Sequence, residues 1–370
     1  MQTPRLFCFI AVACLASHAS GQDPPAVTLK HPGAVIALAF SPDGSQVATS
    51  TRSDVRIWDA ATGKELKFLN SHGGHPVAFR RDLQRVALAR NPYVALHDAA
   101  KDSEVLSIDP NFNFGINFSF RPAVMALAFS PDGGQLATAG GEAIAGRTSG
   151  FPAGVVKIWD AQTGKERQRL GELPHRSDAV VFSDDGRFLA AGTQGVPGEL
   201  PEPGQVRIWD AATFKLLHTF KTKPAIEPGQ DPCSVAGVTF NHQSTRLAAA
   251  VSDGTVRVWE YPSGREILNQ SGHLGPPGEY EVDITGLVLG RRRAVRCVAF
   301  NPDGNRLALA GYDRVVRVWD SETGKETNLF RLDVPRIDAV AFSPDGQRLA
   351  AAGGDTAKSG AAVIWQFGTD

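Results

Sequence analysis

The sequence has few of the residues that build redox and metal centres. Of its 370 residues only four are cysteine and two are methionine, and its nine histidines are scattered. His72 and His75 lie close together, but neither a cysteine nor a carboxylate adjoins them. The chain also lacks the haem motif Cys-x-x-Cys-His, the phosphate-binding motif Gly-x-x-x-x-Gly-Lys-Ser/Thr and the nucleophile motif Gly-x-Ser-x-Gly. We therefore expect no metal, no cofactor and no catalytic residues.

An excess of charge of either sign is also missing. The 38 basic and 39 acidic residues nearly cancel. Such a chain has no overall field that would draw it to nucleic acid or to an anionic membrane surface. Nucleic acid is therefore not expected as the main partner, although the balance still permits a local basic patch.

The apolar run near the N-terminus is too short to span a bilayer. Arg5 is followed by the apolar segment Leu6–Ala16 and then by small residues up to Ala19. A basic start, a short apolar core and small residues at the −3 and −1 positions are typical of a secretory signal peptide. We predict a signal peptide over residues 1–19, cleaved after Ala19, a linker over 20–25, and export to the periplasm or the medium.

Export bears on the cysteines. Cleavage removes Cys8 and Cys14, and Cys14 is not favoured as a lipoprotein anchor because Ala11-Val12-Ala13 is a poor lipobox. Cys233 and Cys297 remain and could pair in an oxidising compartment. Cys297 lies inside an apolar strand, whereas Cys233 lies before the equivalent strand of the neighbouring repeat. Two unpaired thiols are the simpler interpretation.

The chain is rich in one repeated phrase. A segment like Val-Ala-Phe-Ser-Pro-Asp-Gly occurs seven times, and a segment like Val-Arg-Ile-Trp-Asp usually follows it. The first phrase is anchored at Phe40, Phe79, Phe129, Phe182, Phe240, Phe300 and Phe342. The second is anchored at Trp58, Trp159, Trp209, Trp259, Trp319 and Trp365, with His97 in the second copy.

One repeat read physically predicts four strands. Val35–Phe40 is apolar without alternation, as in a strand buried on both faces. Ser41–Gly44 places Pro and Gly as a type I turn requires. Val47–Thr49 continues as a second strand, Val55–Trp58 alternates as a third, and Lys64–Leu69 forms the outer fourth. Such a meander cannot bury its own faces, and radial stacking of blades solves that problem.

The two ends of the chain predict how the ring closes. The last repeat stops after its third strand, Ala362–Trp365, while Ala26–Lys30 forms a lone strand before the first repeat. Pairing the two completes the last blade and removes an exposed sheet edge. We therefore predict an all-β, seven-bladed propeller over residues 26–367, closed by the N-terminal strand, with a short tail over 368–370.

These motifs resemble those of the WD40 repeat family, whose unit of about 40–45 residues ends in Trp-Asp. Repeat 2 departs from the pattern at Arg80–Leu83, and repeat 5 departs at Asn241–Ser244. In the family a His, an Asp and the Trp often form a structural network, and His31, Asp253 and Asp313 match such positions. The phrase Phe-Ser-Pro-Asp-Gly with Thr-Gly-Lys-Glu is similar to that of bacterial members, which suits an exported chain.

The resemblance implies a non-catalytic scaffold that binds a protein or peptide. We expect a monomer, because a closed propeller has no intrinsic need to dimerise. The alternative is an exported propeller that uses its axial channel as an enzyme or small-ligand binder. That alternative would need several carboxylates or histidines to converge where the first strands begin.

Connection lengths favour one face of the disc as the binding surface. Turns from first to second strand and from third to fourth lie on one face and stay short. The remaining connections lie on the other face, and the insertions fall there, which is where loops that carry function usually cluster. These insertions are Asp109–Arg121, Gly141–Gly154, Thr193–Gln205, Lys221–Ser234, Gln270–Arg293 and Gly353–Gly360.

Three groups on that face are candidates for partner contact. An aromatic set would suit a protein surface, although alternation could instead bury these rings. A triple arginine could bind carboxylates or phosphates, although short charge runs are often only solvated. Arg and Asp pairs near the channel could hold a polar ligand, although salt bridges between repeats explain them more simply. The candidates are Phe112, Phe114, Phe118, Phe120, Arg147, Phe151, His175, Arg176, Asp178, Tyr280, Arg291, Arg292, Arg293, Arg336 and Asp338.

Overall fold

The computed structural model describes twelve stretches of the chain, and the predicted signal peptide, linker and tail lie outside them. Within these stretches thirty strands form seven four-stranded antiparallel sheets and one two-stranded hairpin. The stretches are residues 26–70, 76–90, 93–101, 103–110, 124–142, 153–196, 202–222, 233–271, 280–282, 288–291, 295–355 and 359–367.

Each of the first six sheets is a blade made of four strands in chain order. Blade 1 is β2 (Ala37–Phe40), β3 (Gln46–Ser50), β4 (Asp54–Asp59) and β5 (Glu65–Asn70); blade 2 is β6 (Val77–Phe79), β7 (Arg85–Arg90), β8 (Tyr93–Asp98) and β9 (Ser103–Ile108); blade 3 is β10 (Val124–Phe129), β11 (Gln135–Glu142), β12 (Ala153–Asp160) and β13 (Glu166–Leu173).

The second half of the chain continues the pattern and adds a hairpin between two blades. Blade 4 is β14 (Ser177–Phe182), β15 (Phe188–Thr193), β16 (Gln205–Asp210) and β17 (Leu216–Lys221); blade 5 is β18 (Val235–Phe240), β19 (Arg246–Val251), β20 (Thr255–Glu260) and β21 (Glu266–Ser271). The hairpin is β22 (Tyr280–Val282) and β23 (Val288–Arg291); blade 6 is β24 (Val295–Phe300), β25 (Arg306–Gly311), β26 (Val315–Asp320) and β27 (Glu326–Arg331).

The ring closes as the sequence predicted. Blade 7 consists of β28 (Ile337–Phe342), β29 (Arg348–Gly354), β30 (Gly360–Gln366) and the N-terminal strand β1 (Ala26–His31). β1 pairs antiparallel with β30 along its whole length. The first strands of all seven blades contact one another in a closed inner ring around the axis.

The first strand of blade 1 starts two residues later than predicted. The N–H of Val35 donates to the carbonyl of Gly353 in blade 7, at 3.2 Å, and only Ala37–Phe40 pairs as a strand. The sequence predicted Val35–Phe40 because the whole segment is apolar. Val35 is indeed fully buried, but it serves the joint between blades 7 and 1.

The core consists of a separate apolar cluster at each joint between blades. At the closure joint, Trp58 of blade 1 packs with Leu29, Ala350 and Ile364 of blade 7. The same arrangement recurs around the ring, so the repeated tryptophan lies against the preceding blade. Each repeat therefore buries its apolar face only through its neighbours.

The repeated Ser-Pro-Asp-Gly phrase closes its turn with side chains as well as backbone. The hydroxyl of Ser41 donates to the Asp43 carboxylate at 2.6 Å and accepts from the N–H of Gln46 at 2.9 Å. Asp43 also accepts from the N–H and the hydroxyl of Ser45. The Ser41 hydroxyl and the Ser45 donors lower the pKa of Asp43 to about 2. Gly44 ends the turn with φ of 68°, which glycine adopts without strain.

Two blades form this turn without glycine. In blade 2, where the sequence departs from the motif, Leu83 occupies the same place with φ of 53°. In blade 5 the residue is Ser244, with φ of 57°. The meander therefore forms in every blade, although positive φ is unfavourable for residues other than glycine. Leu83 is buried in the joint between blades 1 and 2, which offsets its conformational cost.

Candidate partner-binding face

The two faces of the propeller are defined by its connections. Turns from first to second strand and from third to fourth meet at one face, which we call the short-turn face. The other face, which we call the loop face, carries the second-to-third connections and the crossings between blades. All connections longer than six residues lie on the loop face.

A β-bulge recurs where the first strand enters from the loop face. In blades 3 to 7 the pairing register skips one residue near the start of this strand. A bulge leaves one residue unpaired and re-aims its side chain. Because the first strands form the inner ring, these side chains lie at the loop-face end of the channel wall. The skipped residues are Met125, Asp178, Ala236, Arg296 and Asp338.

Three charged side chains meet at the channel mouth between blades 6 and 7. The Asp338 carboxylate is nearly buried, with 4% of its side chain exposed, and it accepts from Arg336 Nε at 2.9 Å. Arg296 Nε lies 2.8 Å from the other carboxylate oxygen. Arg296 Nη1 also donates to the Tyr312 hydroxyl at 2.8 Å, and its guanidinium lies 5.3 Å from the centre of that ring. Burial alone would lower the pKa of Arg296, but the Asp338 carboxylate and then Tyr312 and Cys297 raise it.

A second pair lies at the equivalent position of blade 4. Arg176 Nε donates to Asp178 at 2.8 Å. The preceding residue, His175, has Nε2 at 2.9 Å from the Glu202 carboxylate in the blade 4 insertion. Thus His175 ties the crossing between blades 3 and 4 to the stem of an insertion. The structure places Arg176, Asp178, Arg336 and Asp338 around one channel mouth, and their role in binding a partner stays a prediction.

Most of the other candidates lie outside the described residues. This applies to Phe112, Phe114, Phe118, Phe120, Arg147, Phe151, Arg292 and Arg293. Tyr280 and Arg291 lie opposite each other at the open end of the β22–β23 hairpin, within the longest crossing of the loop face.

Sequence reasoning missed Arg296 and Tyr312. A usable signal existed, because Arg296 is the second residue of its first strand, as Asp178 and Asp338 are of theirs. Aligning the repeats on that position would have added Arg296 to the site. Tyr312 lies in the short turn between β25 and β26, beside Asp313, and no motif marks the tyrosine itself.

A buried ion cluster anchors the stems of two insertions in blade 3. Lys157 Nζ lies 3.0 Å from Glu142 Oε1 and donates to the carbonyl of Pro110 at 2.5 Å. Arg169 contacts the same carboxylate from the outer strand. Glu142 is the last residue of β11, at the base of the blade 3 insertion, and Pro110 is the second residue of the crossing from blade 2. The cluster therefore fixes the departure points of the segments that carry Arg147 and the four phenylalanines.

The two cysteines of the described chain are unpaired thiols. Burial, aided by the Asp253 carboxylate, raises the pKa of Cys233 to about 12. The Cys233 thiol donates to that carboxylate at 3.4 Å. Burial likewise raises the pKa of Cys297 well above its ordinary value. Neither thiol has the thiolate character that nucleophilic or redox chemistry requires.

Within the described stretches, no group of three or more His, Cys, Asp or Glu side chains is placed to hold a metal ion. In the same stretches, no helix is long and apolar enough to cross a membrane. A pocket of about 290 Å³ lies at the closure joint on the short-turn face, between Val27, Ala60, Ile364 and Arg348. The guanidinium of Arg348 is engaged there with the carbonyl of Gly44 at 2.7 Å.

The fold is a β-propeller of the repeat-protein class. It has seven four-stranded blades, an N-terminal strand that completes the last blade, and one face of extended connections. Three segments, residues 24–59, 215–260 and 287–320, match the family model described as WD40: WD domain, G-beta repeat. These three segments are therefore WD40 repeats. The matched segments include repeat 5, whose first turn departs from the motif.

Relatives with related sequences span most of the propeller. A serine-threonine kinase receptor-associated protein of Gallus gallus is 22% identical over 83% of this chain and 72% of its own. The target of rapamycin complex subunit wat1 of Schizosaccharomyces pombe is 23% identical over 78% of both chains. Cell division cycle 20.1, cofactor of APC complex, from Arabidopsis thaliana, is 25% identical over 78% of this chain and 54% of its own. All three relatives are eukaryotic, so they do not support the predicted similarity of the repeat motifs to bacterial members of the family.

Proposed function

We propose that this protein is a non-catalytic scaffold that binds a protein or peptide partner through its loop face. The observation that carries the proposal is the difference between the two faces. The turns of the short-turn face are short and close with a repeated set of hydrogen bonds, whereas the loop face carries the long connections. A rigid scaffold with variable loops on one face is the usual arrangement for recognition.

The relatives support the proposal at a coarser level. Their names describe a receptor-associated protein, a subunit of a complex and a cofactor of a complex. Each of these descriptions is of a protein that acts in association with other proteins. These descriptions are consistent with a scaffold function for this chain. A shared fold by itself does not establish that function.

The charged channel mouth supports partner recognition more than catalysis. Asp338 is held by two guanidinium groups, and Asp178 is paired with Arg176. Both carboxylates are thus already engaged by guanidinium groups of this chain. An acidic or polar group of a partner would instead meet the exposed part of Arg296, whose side chain is 37% accessible.

The experiment uses the full chain as an affinity bait and then measures affinity for the isolated partner. A loop-face variant replaces Phe112, Phe114 and Arg291–Arg293 by Ser. A short-turn variant replaces Arg187 and Arg265, which are well exposed on the other face, by Ser. We expect the loop-face variant to bind at least about tenfold more weakly and the short-turn variant to bind as the original chain does.

Circular dichroism must show that both baits are folded. Equal loss of affinity in the two variants would reject the loop face as the contact surface. Failure of every bait to bind a protein would reject the scaffold, and the channel would then be titrated with small polar ligands and metals.

We also propose that the chain is exported, on the strength of its N-terminal sequence. The test is N-terminal sequencing of the protein purified from its own cells together with fractionation. Export predicts a mature chain that begins at Ser20. An intact N-terminus in the cytoplasmic fraction would reject export and would leave the scaffold proposal untouched.

A further inference from the structure

The pocket at the closure joint has room for a small molecule. Its volume is about 290 Å³, which is close to the lower end of the range of ligand pockets, about 300–1,000 Å³. It lies on the short-turn face, where blade 7 meets blade 1, and both blades contribute to its walls. These walls include Val27, Ala60, Ala61, Asp345, Arg348 and Ile364.

The joint between blades 5 and 6 shows how the same position is filled elsewhere in the ring. Arg246 begins the second strand of blade 5, as Arg348 begins the second strand of blade 7. Arg246 Nη1 donates to the Ser321 hydroxyl at 2.9 Å, and its Nη2 donates to the Glu322 carboxylate at 2.5 Å. Ser321 and Glu322 directly follow the third strand of blade 6. At that joint, side chains of the next blade therefore engage the guanidinium.

Both of those side chains are missing at the closure joint. Ala60, the first residue after the third strand of blade 1, corresponds to Ser321. Ala61, the next residue, corresponds to Glu322. Neither methyl group carries an oxygen that could accept a hydrogen bond from Arg348. The pocket thus lies where a hydroxyl and a carboxylate side chain lie at the joint between blades 5 and 6.

The missing hydroxyl also changes what Arg348 binds. At the joint between blades 5 and 6, the Ser321 hydroxyl donates to the carbonyl of Gly304 at 2.7 Å. Gly44 is the equivalent turn glycine of blade 1, and its carbonyl accepts instead from Arg348 Nη2, at 2.7 Å. This is the one hydrogen bond that the Arg348 side chain makes with another described residue. Its Nε and Nη1 therefore have no acceptor in the described part of the chain.

An exposed carboxylate with free capacity lines the same pocket. Asp345 Oδ1 accepts from the Ser343 hydroxyl and from the N–H of Gln347, at 3.0 Å for the latter. Burial would raise the pKa of Asp345, but these two donors and then Arg348 lower it. Within the described residues, Asp345 Oδ2 accepts no hydrogen bond and no salt bridge joins Asp345 to Arg348. The pocket thus presents two opposite charges that the protein does not join.

Apolar side chains complete the pocket. Val27 of β1 and Ile364 of β30 are directly opposite each other in the strand pair that closes the ring. Cross-strand neighbours lie on the same face of a sheet, so the two side chains form one surface. Both pack with Ala60 in the apolar cluster of the closure joint. A small molecule in this pocket therefore meets a guanidinium, a carboxylate and an aliphatic surface.

We propose that the closure-joint pocket binds a free α-amino acid with a short aliphatic side chain. Its α-carboxylate accepts from Arg348, as the internal carboxylate does at the joint between blades 5 and 6. Its ammonium group pairs with Asp345, and its side chain packs against Val27 and Ile364. A zwitterion matches both charges of the pocket, whereas a simple anion is repelled by Asp345. The site lies on the short-turn face and does not depend on partner binding at the loop face.

The test is isothermal titration calorimetry of the full chain at pH 7 with L-alanine, L-valine and L-leucine in turn. We expect saturable binding of at least one of them, with a dissociation constant of about 1 mM or lower. Isovalerate has the carboxylate and the isopropyl group of L-valine but no ammonium group. It should bind at least about tenfold more weakly than the amino acid that binds best.

Two variants place the ligand in the pocket. Ala61→Glu supplies the carboxylate that Glu322 supplies in blade 6, so it should fill the site and abolish amino-acid binding. Gln162→Glu adds the same charge at the same turn position of blade 3 and should bind as the original chain does. Both substituted positions are exposed, so we expect both variants to fold.

Three results would overturn the proposal. The absence of saturable heat with all three amino acids would reject the site, and this result needs no variant. Binding that Ala61→Glu leaves unchanged would show that the amino acid binds elsewhere. Equal affinity for isovalerate and the amino acid would reject the pairing of the ammonium group with Asp345.

Discussion

Turns on the short-turn face have four or five residues in every blade, whereas loop-face connections range from two residues, between β7 and β8, to 23, between β21 and β24. The short turns are uniform because each one has two tasks. It reverses the chain through a repeated set of hydrogen bonds, and it packs against the preceding blade. Gly63, for example, turns with φ of 69° while Val27 of the preceding blade lies too close to admit a Cβ.

The loop face is constrained differently. Its connections either join the second and third strands of one blade or cross to the next blade, and in the described residues several of their ends are anchored by side chains. His175 with Glu202, and Lys157 with Pro110, are such end anchors. Between the anchors, length has little effect on the blades themselves. The repeated sequence therefore specifies the blades and the short-turn face. The features that differ from one repeat to the next lie on the loop face.

Removal of β1 should have the largest effect, because both faces of the propeller depend on a closed ring. Deleting Ala26–His31 leaves blade 7 with three strands, opens the edge of β30 and removes Leu29 from the closure joint. We expect the melting temperature to fall by more than about 10 °C, measured by circular dichroism or calorimetry.

Deletion of the predicted tail, residues 368–370, is the control and should leave the melting temperature unchanged. A synthetic peptide with the sequence of Ala26–His31, added to the shortened chain, should restore part of the loss. A shortened chain that melts like the original would contradict closure by β1.

Acidification should destabilise the closure joint at its loop-face end, where His31 is buried. His31 Nε2 lies 3.1 Å from the Thr49 hydroxyl, which accepts from the Trp58 indole at 2.7 Å. Burial, and then the nearby Arg56, lower the pKa of His31 to about 4, against an opposing effect of Asp54. The unfolded chain therefore takes up the proton first, near pH 6.5. Stability should be full above that pH and fall by up to about 3 kcal/mol as the pH drops toward 4.

The measurement is the free energy of unfolding by denaturant between pH 7.5 and 4.5. In His31→Gln the histidine component of the slope should disappear, although the variant is less stable overall. Ile364→Val, a substitution in the same joint that changes no titrating group, is the control for reduced stability and should keep the original slope. Identical slopes for the original chain and His31→Gln would show that His31 does not carry the effect.

The short-turn face and the closed ring could be predicted from the sequence because every repeat contains the residues that form the strands and the short turns. The seven Phe anchors, the Ser-Pro-Asp-Gly turns and the lone strand Ala26–Lys30 were enough to predict seven blades and the closing pair. Repeat 2 shows why a degenerate motif did not mislead this prediction. Its apolar strands, including Leu88 and Leu96, still pack between blades 1 and 3 as a blade must.

The channel mouth was predictable only in part. Arg176 with Asp178, and Arg336 with Asp338, lie two residues apart, so their pairing follows from local sequence. The contact of Arg296 with Asp338 joins two blades, and it depends on a bulge that re-aims both side chains. No local pattern encodes such a contact.

Arg257 shows the converse case. In blade 6, Arg317 lies 2.8 Å from Glu326 and 3.7 Å from Asp313. Blade 5 has Arg257, Glu266 and Asp253 at the corresponding positions, so the repeat predicts the same bridge there. Instead, Arg257 Nη1 donates to the carbonyl of Lys221 at 3.2 Å, and the Asp253 carboxylate accepts from the Cys233 thiol at 3.4 Å. Repeat position thus predicted where the side chain lies and gave no information about what it contacts.

The smallest expected effect tests how uniform the short-turn face is. Ser244 and Leu83 occupy the same turn position in blades 5 and 2 with nearly equal positive φ. Ser244→Gly should relieve the strained conformation and stabilise the chain by about 0.5 kcal/mol. Leu83→Gly relieves the same strain but removes a buried side chain, so it should destabilise by about 2 kcal/mol. Denaturant midpoints of the two variants measure both effects, and the opposite signs separate conformation from burial at one position. If both variants are destabilised, relief of the positive φ at Ser244 does not stabilise the chain. If both are stabilised, burial of Leu83 contributes less than the cost of its positive φ.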